Sequence, residues 1–311
     1  MLAHAPHLST IAAGKQFTHG GPALVTSPFT GSPTTEIVGT RDGRQIYRCP
    51  DTGALFFDRE TIEQEHYQDY YPYLRGFNSK RFDWELRIRR AKYTRQLRQM
   101  ERFAPGRKLL DIGAGPGYLC RVAEEQGWNA TGVEISKEAA AHARREFGVT
   151  YRRLDEIPEG SVDAITCHHV LEHIADPIVF LQTLRSKLRP RGLVVLHVPH
   201  QQPLSHKIRD RLRKLRGSKG DMHCTLYGNI HLSGFTARSL SELMNRAGFE
   251  TRLSQTAGMW SMYYDPFLLR NYVRSRQWGV IFKKAVRGAI DRAGDFIGAG
   301  DWVIGYFSRS D

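Results

Sequence analysis

From Lys108 onward, short apolar runs alternate with stretches in which apolar residues recur every three to four positions, the pattern of βαβ units feeding a mainly parallel sheet. Lys108–Ile112 predicts a first strand, and Tyr118–Gln126 a helix stopped by Gly127. Ala130–Glu134 predicts a second strand, followed by a helix over Lys137–Phe147 that ends at Gly148. Val162–Cys167 and Leu193–Val198 read as two further buried strands, Phe235–Ala247 as a helix closed by Gly248, and Trp302–Ser308 as a terminal strand. Upstream the pattern differs. Phe82, Leu86, Tyr93, Leu97 and Met100 keep helical spacing inside a polar, aromatic stretch over 60–103, and residues 25–58 read as a small β unit with turns at 28–31 and 50–53 around a strand-like Gly43–Arg48. Residues 1–24 have no periodicity and read as a loose tail. The expected organisation is therefore a tail (1–24), a β unit (25–58), a helical cap or linker (59–104) and an α/β domain (105–311) interrupted by insertions at 203–230 and 262–298.

A chain of 311 residues with 41% hydrophobic content can bury a full core, which excludes disorder over most of its length. No stretch approaches 18 uninterrupted apolar residues, and the first thirty lack a charged start followed by an apolar run, so a cytoplasmic location is expected. Cys49, Cys120, Cys167 and Cys224 are widely spaced and never form C-x-x-C, which predicts reduced, mostly buried thiols. The formal charge of +13 sits in two windows: residues 80–108, and residues 203–219 with Lys207, Arg209, Arg211, Arg213, Lys214, Arg216 and Lys219. Such stripes suit a phosphate-bearing acceptor or an anionic membrane surface, or serve as solvated helix faces. Ile208, Leu212 and Leu215 make the second window a short basic amphipathic helix, and Leu268–Ile297 combines Val280, Ile281, Val286 and Ile290 with further basic residues in the same way.

The chemistry is concentrated in Leu109-Leu110-Asp111-Ile112-Gly113-Ala114-Gly115-Pro116-Gly117-Tyr118, an apolar strand running into a glycine-rich turn and a helix. Glycines there let the backbone approach a ligand at the positive end of a helix. Glu134 stands at the end of the next strand, where a carboxylate can accept both hydrogen bonds of a ribose diol. The spacing is G-x-G-x-G, with Tyr118 where a dinucleotide fingerprint needs a third glycine, and Asp111 precedes the first glycine by two residues. Two carboxylates would repel a pyrophosphate and favour a sulfonium or ammonium, which argues against an NAD-dependent oxidoreductase.

Together with Val162-Asp163 opening a strand, Leu171-Glu172-His173 after it and Leu188-Arg189-Pro190-Arg191-Gly192-Leu193 before the next, this segment resembles the class I S-adenosylmethionine-dependent methyltransferases over roughly residues 85–255. The resemblance implies a Rossmann-like, doubly wound α/β fold with a seven-stranded, mostly parallel sheet whose last strand is reversed. It also implies S-adenosyl-L-methionine as cofactor. Gly113, Ala114, Gly115 and Gly117 would line its methionine and ribose side, Asp111 would help hold its amino group, and Glu134, next to Ile135, would take the ribose hydroxyls. Asp155 is the candidate for the adenine amino group, and His168 a further contact.

The run Cys167-His168-His169-Val170-Leu171-Glu172-His173 leaves the end of the fourth strand, where such a sheet faces cofactor and substrate. Three readings stay open: His169 as general base, a divalent ion held by His169, Glu172 and His173, or plain structure. No metal is assigned. His200 and His231 flank the basic insertion and are candidates for contact with the acceptor, whereas His197 reads as a core residue. Bacterial methyltransferases of this type often begin with a zinc ribbon, and Ser27-Pro28-Phe29-Thr30-Gly31 with Cys49-Pro50-Asp51-Thr52-Gly53 resembles its two knuckles with three of the four ligands replaced, so a metal-free ribbon is expected.

The expected function is methyl transfer to a small-molecule or glycan- or lipid-linked acceptor, at oxygen in the preferred version, with Tyr70, Tyr71 and residues 203–230 as lid elements. The rivals are an RNA-directed methyltransferase and a non-catalytic basic binding protein. No N/D-P-P-Y/F motif appears and the aromatics do not interleave with the basic runs, so nucleic acid is disfavoured as a partner.

Overall fold

The computed structural model describes residues 24–58, 79–218, 220–226, 231–258 and 278–311. The expected tail, the tyrosines 67–73 with the lid role given to Tyr70 and Tyr71, and the first part of the 262–298 insertion lie outside the described residues. Five short strands come first: β1 (Val25–Thr26), β2 (Pro33–Thr34), β3 (Ile37–Arg41), β4 (Arg44–Arg48) and β5 (Leu55–Phe57). After α1 (Ser79–Met100) the chain alternates through β6 (Lys108–Ile112), α2 (Tyr118–Glu125), β7 (Asn129–Val133), α3 (Lys137–Phe147), β8 (Val162–His168), α4 (Pro177–Lys187) and β9 (Leu188–Pro199). It ends through α5 (Leu204–Leu215), β10 (Ser233–Gly234), α6 (Ala237–Arg246), β11 (Phe249–Ala257), α7 (Trp278–Phe296) and β12 (Trp302–Arg309).

The large sheet has the order β11-β12-β9-β8-β6-β7, with β6 to β9 parallel and β12 antiparallel to both of its neighbours. The expected reversal of the last strand is thus present. Among the described residues the sheet has six strands, against the seven that the resemblance implies. The seventh position is reached by Tyr151 alone, as a single parallel bridge to Gly132. Only Val149, Thr150 and Tyr151 lie between the left-handed Gly148 and the charged pair Arg152-Arg153, too short a run to extend a ladder. β11 was not anticipated, and β9 begins earlier than the pattern implied, because the Leu188–Gly192 run joins the strand.

Side-chain alternation explains the two helical layers. On β9, Val194, Leu196 and Val198 enter one core, and Leu193 and Val195 the other. The first core receives Leu181 and Leu184 of α4 with Leu240, Leu243 and Met244 of α6; the second receives Leu97 and Met100 of α1 with Leu119, Val122 and Ala123 of α2. A sheet covered on both faces explains why its central strands read as continuous apolar runs. Cys49, Cys120, Cys167 and Cys224 are all buried and unbridged.

The N-terminal strands join the first core through Phe29, which meets Phe235 edge-on at 5.6 Å between ring centroids. Their sheet, β10-β5-β4-β3, takes its edge strand β10 from the far side of the α5 insertion. The two turns have one geometry: Gly31 N–H donates to Ser27 O and Gly53 N–H to Cys49 O, each at 2.9 Å, with φ of +75° at both glycines. Ser27, Thr30 and Thr52 gather around the Cys49 thiol. Burial alone would raise the Cys49 thiol, but hydrogen bonds from Ser27, Thr52 and Thr30 outweigh it and hold the thiol below its ordinary value.

Candidate active site

The glycine loop between β6 and α2 is clamped from several sides. Gly113 and Ala114 N–H both donate to Val133 O at 2.8 and 3.1 Å. Gly115 donates its N–H to Glu134 Oε2 at 2.8 Å and accepts from the Tyr151 hydroxyl at 2.6 Å. The second Glu134 oxygen takes the N–H of Ser136 at 2.9 Å, so the carboxylate joins the loop to the start of α3, which Ser136 caps. Gly115 has φ +51° and a Cβ there would point into open space, so it forms a cradle beside a carboxylate. Ile135, 65% exposed, offers an apolar surface next to Glu134.

Asp111 lies at the root of the loop. It is buried, accepts from Thr166 Oγ1 at 2.7 Å, and faces the Cys120 thiol at 3.9 Å. Burial pushes its carboxyl up to about 7, with Glu134 adding to the rise and the Thr166 hydrogen bond opposing it. These residues fit S-adenosylmethionine: an open backbone cradle, a carboxylate where the resemblance implies the ribose, and a buried acid whose ionisation a cation would favour. They do not fit a pyrophosphate, which two acids would repel. A prediction follows from the sign of the shift. In the ligand-free protein Asp111 is protonated up to about pH 7, so if it holds the ammonium of S-adenosylmethionine, binding would draw off that proton. Affinity measured by calorimetry is expected to rise by about tenfold between about pH 6 and 8, and Asp111→Asn to flatten the profile; equal slopes in both proteins would refute the assignment.

The segment leaving β8 adjoins this loop. Gly113 packs so close to Val170 that a Cβ on it would stand 2.5 Å from Val170 Cγ2, which joins the cradle to the segment leaving β8. His169 on that segment has a left-handed backbone with φ +56° and donates its N–H to His197 O at 2.8 Å. Non-glycine residues adopt that conformation at a cost, and such strain clusters at functional sites. Its ring lies 4.6 Å from His197 and 4.7 Å from Trp302, centroid to centroid, and its Nδ1 is 3.5 Å from Glu172 Oε1.

Glu172 is 1% exposed, and neither carboxylate oxygen has a well-formed hydrogen bond. Burial works to raise its carboxyl, but His169, His173 and His231 gathered around it outweigh this and hold it below the ordinary value. His231 lies against His173 at 4.8 Å between ring centroids, and its Nδ1 meets Thr225 O at 2.7 Å. Nδ1 must donate to that carbonyl, so the neutral ring carries its lone pair on Nε2. Glu172, His173 and His231 present ligand atoms within 4.8 Å of one another.

The structure thus brings His169 and His231 together around Glu172. It places the other expected residues differently. His200 is 3% exposed, its Nδ1 accepting from Gln202 N–H at 3.1 Å, and burial pushes it down to about 4, so it is a neutral structural ring. His168 is engaged by Gln96 at 2.9 Å and stacked on Tyr93; burial, then Lys92 and His169, lower it well below its usual range. Asp155 sits in an exposed turn, paired with Arg153 at 2.6 Å. His197 is buried within its strand, as expected. Tyr151, Gln96, Lys92 and Trp302 escaped the sequence reading. No motif marks them, because each reaches the site from another element; the Lys92 amine, pushed down to about 7 by burial and then by Arg89, is one example.

Comparison with known proteins agrees with this geometry. Residues 85–254, more than half of the chain, match the family profile described as a methyltransferase domain. Over 112 residues the chain is 33% identical to the ubiquinone biosynthesis O-methyltransferase of Pseudomonas aeruginosa (strain UCBPP-PA14), covering 32% of this chain and 48% of that one. Over 182 residues it is 31% identical to the protein of the same name from Xanthomonas campestris pv. campestris (strain B100), covering 55% of this chain and 72% of the relative. The chain spans about half the length of the first curated relatives it matches. Among solved structures it is similar, at 17% identity and a TM-score of 0.45, to a phosphoethanolamine N-methyltransferase 2 of Haemonchus contortus in complex with S-adenosyl-L-methionine, over 70% of this chain and 53% of that one. A SAM-dependent methyltransferase from Archaeoglobus fulgidus gives 17% identity and a TM-score of 0.44, over 71% of this chain and 94% of that one. On the strength of the matched domain and its place in the sheet, the chain belongs to the class I S-adenosylmethionine-dependent methyltransferases.

Proposed function

We propose that the protein methylates a hydroxyl oxygen of a small or lipid- or glycan-linked acceptor, with His169 as the base and Glu172 as the group that orients it. The observation that carries this reading is a strained histidine held 3.5 Å from a buried carboxylate, next to the glycine cradle. Two relatives named for O-methylation support oxygen as the methylated atom. Bound in the cradle, S-adenosylmethionine supplies an electrophilic methyl group; the chain's own residues do the rest. Glu172 faces His169 Nδ1, which leaves Nε2 to take the acceptor's proton. His197 and Trp302 wall the imidazole on two sides and fix its orientation, so alignment contributes as well as proton transfer. In this reading residues 105–311 are the catalytic domain, 59–104 its cap, and 25–58 the unit that braces the acceptor loops.

A second reading is favoured by the unsatisfied oxygens of Glu172: with His173 and His231 it would hold a divalent cation, which would lower the pKa of a coordinated acceptor hydroxyl. The test is transfer of labelled methyl to a panel of catechols, hydroquinones, sugars and lipid-linked sugars, with His169→Asn, a side chain that tolerates the left-handed backbone. A loss of about 100-fold in kcat with unchanged cofactor affinity supports the base. Activity abolished by a chelator and restored by magnesium or zinc supports the cation. Wild-type-like turnover by His169→Asn without metal dependence would overturn both.

A further inference from the structure

The polarity of α5 and α7 is inverted relative to that of ordinary surface helices. On α7 the face turned to the protein carries Gly288, Asp291 and Gly294, while the outward face carries Trp278, Phe282 and Val286, 62%, 71% and 44% exposed, with Phe296 and Ile297 beyond them at 92% and 60%. The inward face is ionic because Arg287 reaches Asp291 at 2.6 Å and both oxygens of Asp301 at 2.6 and 2.7 Å. On α5 the buried residues are Ser205 and Asp210, while Ile208, Leu212 and Leu215 point outward. The two helices pack against each other. Their apolar residues recur at intervals of three and four, so each forms a stripe rather than a scatter.

The exposed charge on these two helices has one sign. Exposed Lys207, Arg209, Arg211 and Lys214 border the α5 stripe, and Lys283 and Arg292 the α7 stripe, whereas the acids Asp210 and Asp291 are buried. Among the described residues no helix is long and apolar enough to cross a membrane, so this pair can only lie on a surface. We propose that α5 and α7 form a docking face for an anionic lipid bilayer, with the aromatic and aliphatic side chains entering the headgroup layer and the basic rim meeting lipid phosphates. Both helices border the carboxyl ends of the parallel strands, since α5 follows β9 and α7 leads into Trp302, the residue paired with Pro199. Docking on this face sets the His169–Glu172 edge close to the bilayer, which suits an acceptor held in lipid. The docking itself does not depend on the acceptor's chemistry.

The test is flotation of the full chain with vesicles of phosphatidylcholine alone and of phosphatidylcholine mixed with phosphatidylglycerol, at low and high salt. Each basic residue near an anionic surface strengthens partitioning by about fivefold, so strong, salt-sensitive binding to the mixed vesicles alone is expected. Phe282→Ser with Phe296→Ser should weaken it at least about tenfold, as should Lys283→Glu with Lys214→Glu, while S-adenosylhomocysteine binding by calorimetry stays unchanged and certifies the fold. Absence of binding to both vesicle types, equal binding to both, or a dimer that Phe282→Ser with Phe296→Ser dissociates would overturn the proposal, the last by assigning the face to a second copy. Failure of the methylation reading leaves flotation unaffected, so the two fail separately.

Discussion

Glu134→Ala is expected to weaken S-adenosylhomocysteine binding by about 100-fold, the largest effect of any single substitution in the cradle. The carboxylate accepts from Gly115 and Ser136 N–H, and in the proposed site its remaining lone pairs would take the ribose diol. Charge-assisted hydrogen bonds contribute about 1.5–3 kcal/mol each, and loss of about 3 kcal/mol corresponds to about two decades in the dissociation constant. Glu134→Gln retains one acceptor oxygen and should fall between the two proteins. Calorimetric titration reads all three, with thermal unfolding as a control, because part of the loss would come from a loosened Gly115 turn. Binding by Glu134→Ala within about threefold of the parent would reduce Glu134 to a turn-holding residue and move the ribose site elsewhere.

The second large effect concerns stability. Arg287 bridges two carboxylates, Asp291 and Asp301, whose side chains are 2% and 10% exposed. Arg287→Met keeps the aliphatic stem and deletes the guanidinium, which leaves two buried acids without it. Breaking a buried pair costs about 3–5 kcal/mol, and the 36% exposure of the arginine side chain reduces this to about 2–4. For a domain of this size the midpoint of thermal unfolding should drop by about 5–12 °C. Because Asp301 precedes Trp302, the same variant should also lower turnover at temperatures where it is still folded. A shift of less than about 1 °C would show the pair to be a solvent-screened contact.

The parts of the site that lie within about thirty residues of one another were legible in the sequence. The strand, the glycine loop and Glu134 form one βαβ unit, so their spacing alone implies their meeting. The histidine run was legible as chemistry but not as geometry. His169 and Glu172 are three residues apart, and only the left-handed turn at His169 brings them to 3.5 Å. The approach of His231 could not be read, since it depends on β10 pairing with β5 and on Leu232 N–H donating to Glu172 O at 2.8 Å. For the same reason His200 looked equivalent to His231, although one is locked in the core by its neighbours and the other joins the carboxylate. The fold class followed from alternation; the strand count did not, because it came from the family resemblance and the run at Val149–Tyr151 makes only one bridge, Tyr151 to Gly132.

The N-terminal sheet carries a consequence for the order of synthesis. Its outer strand β3 is completed by residues made much later: Thr40 donates to Asp221, 181 positions downstream, and Met222 donates its N–H back to Thr40 O at 3.0 Å. Strand β5 likewise waits for β10. As the chain leaves the ribosome, these first strands therefore expose unpaired edges until most of the catalytic domain has been translated. Contacts of such long span slow folding, and the basic, charged residues along β3 and β4, Arg41, Arg44 and Arg48, stand where they would discourage pairing with another nascent chain in that interval.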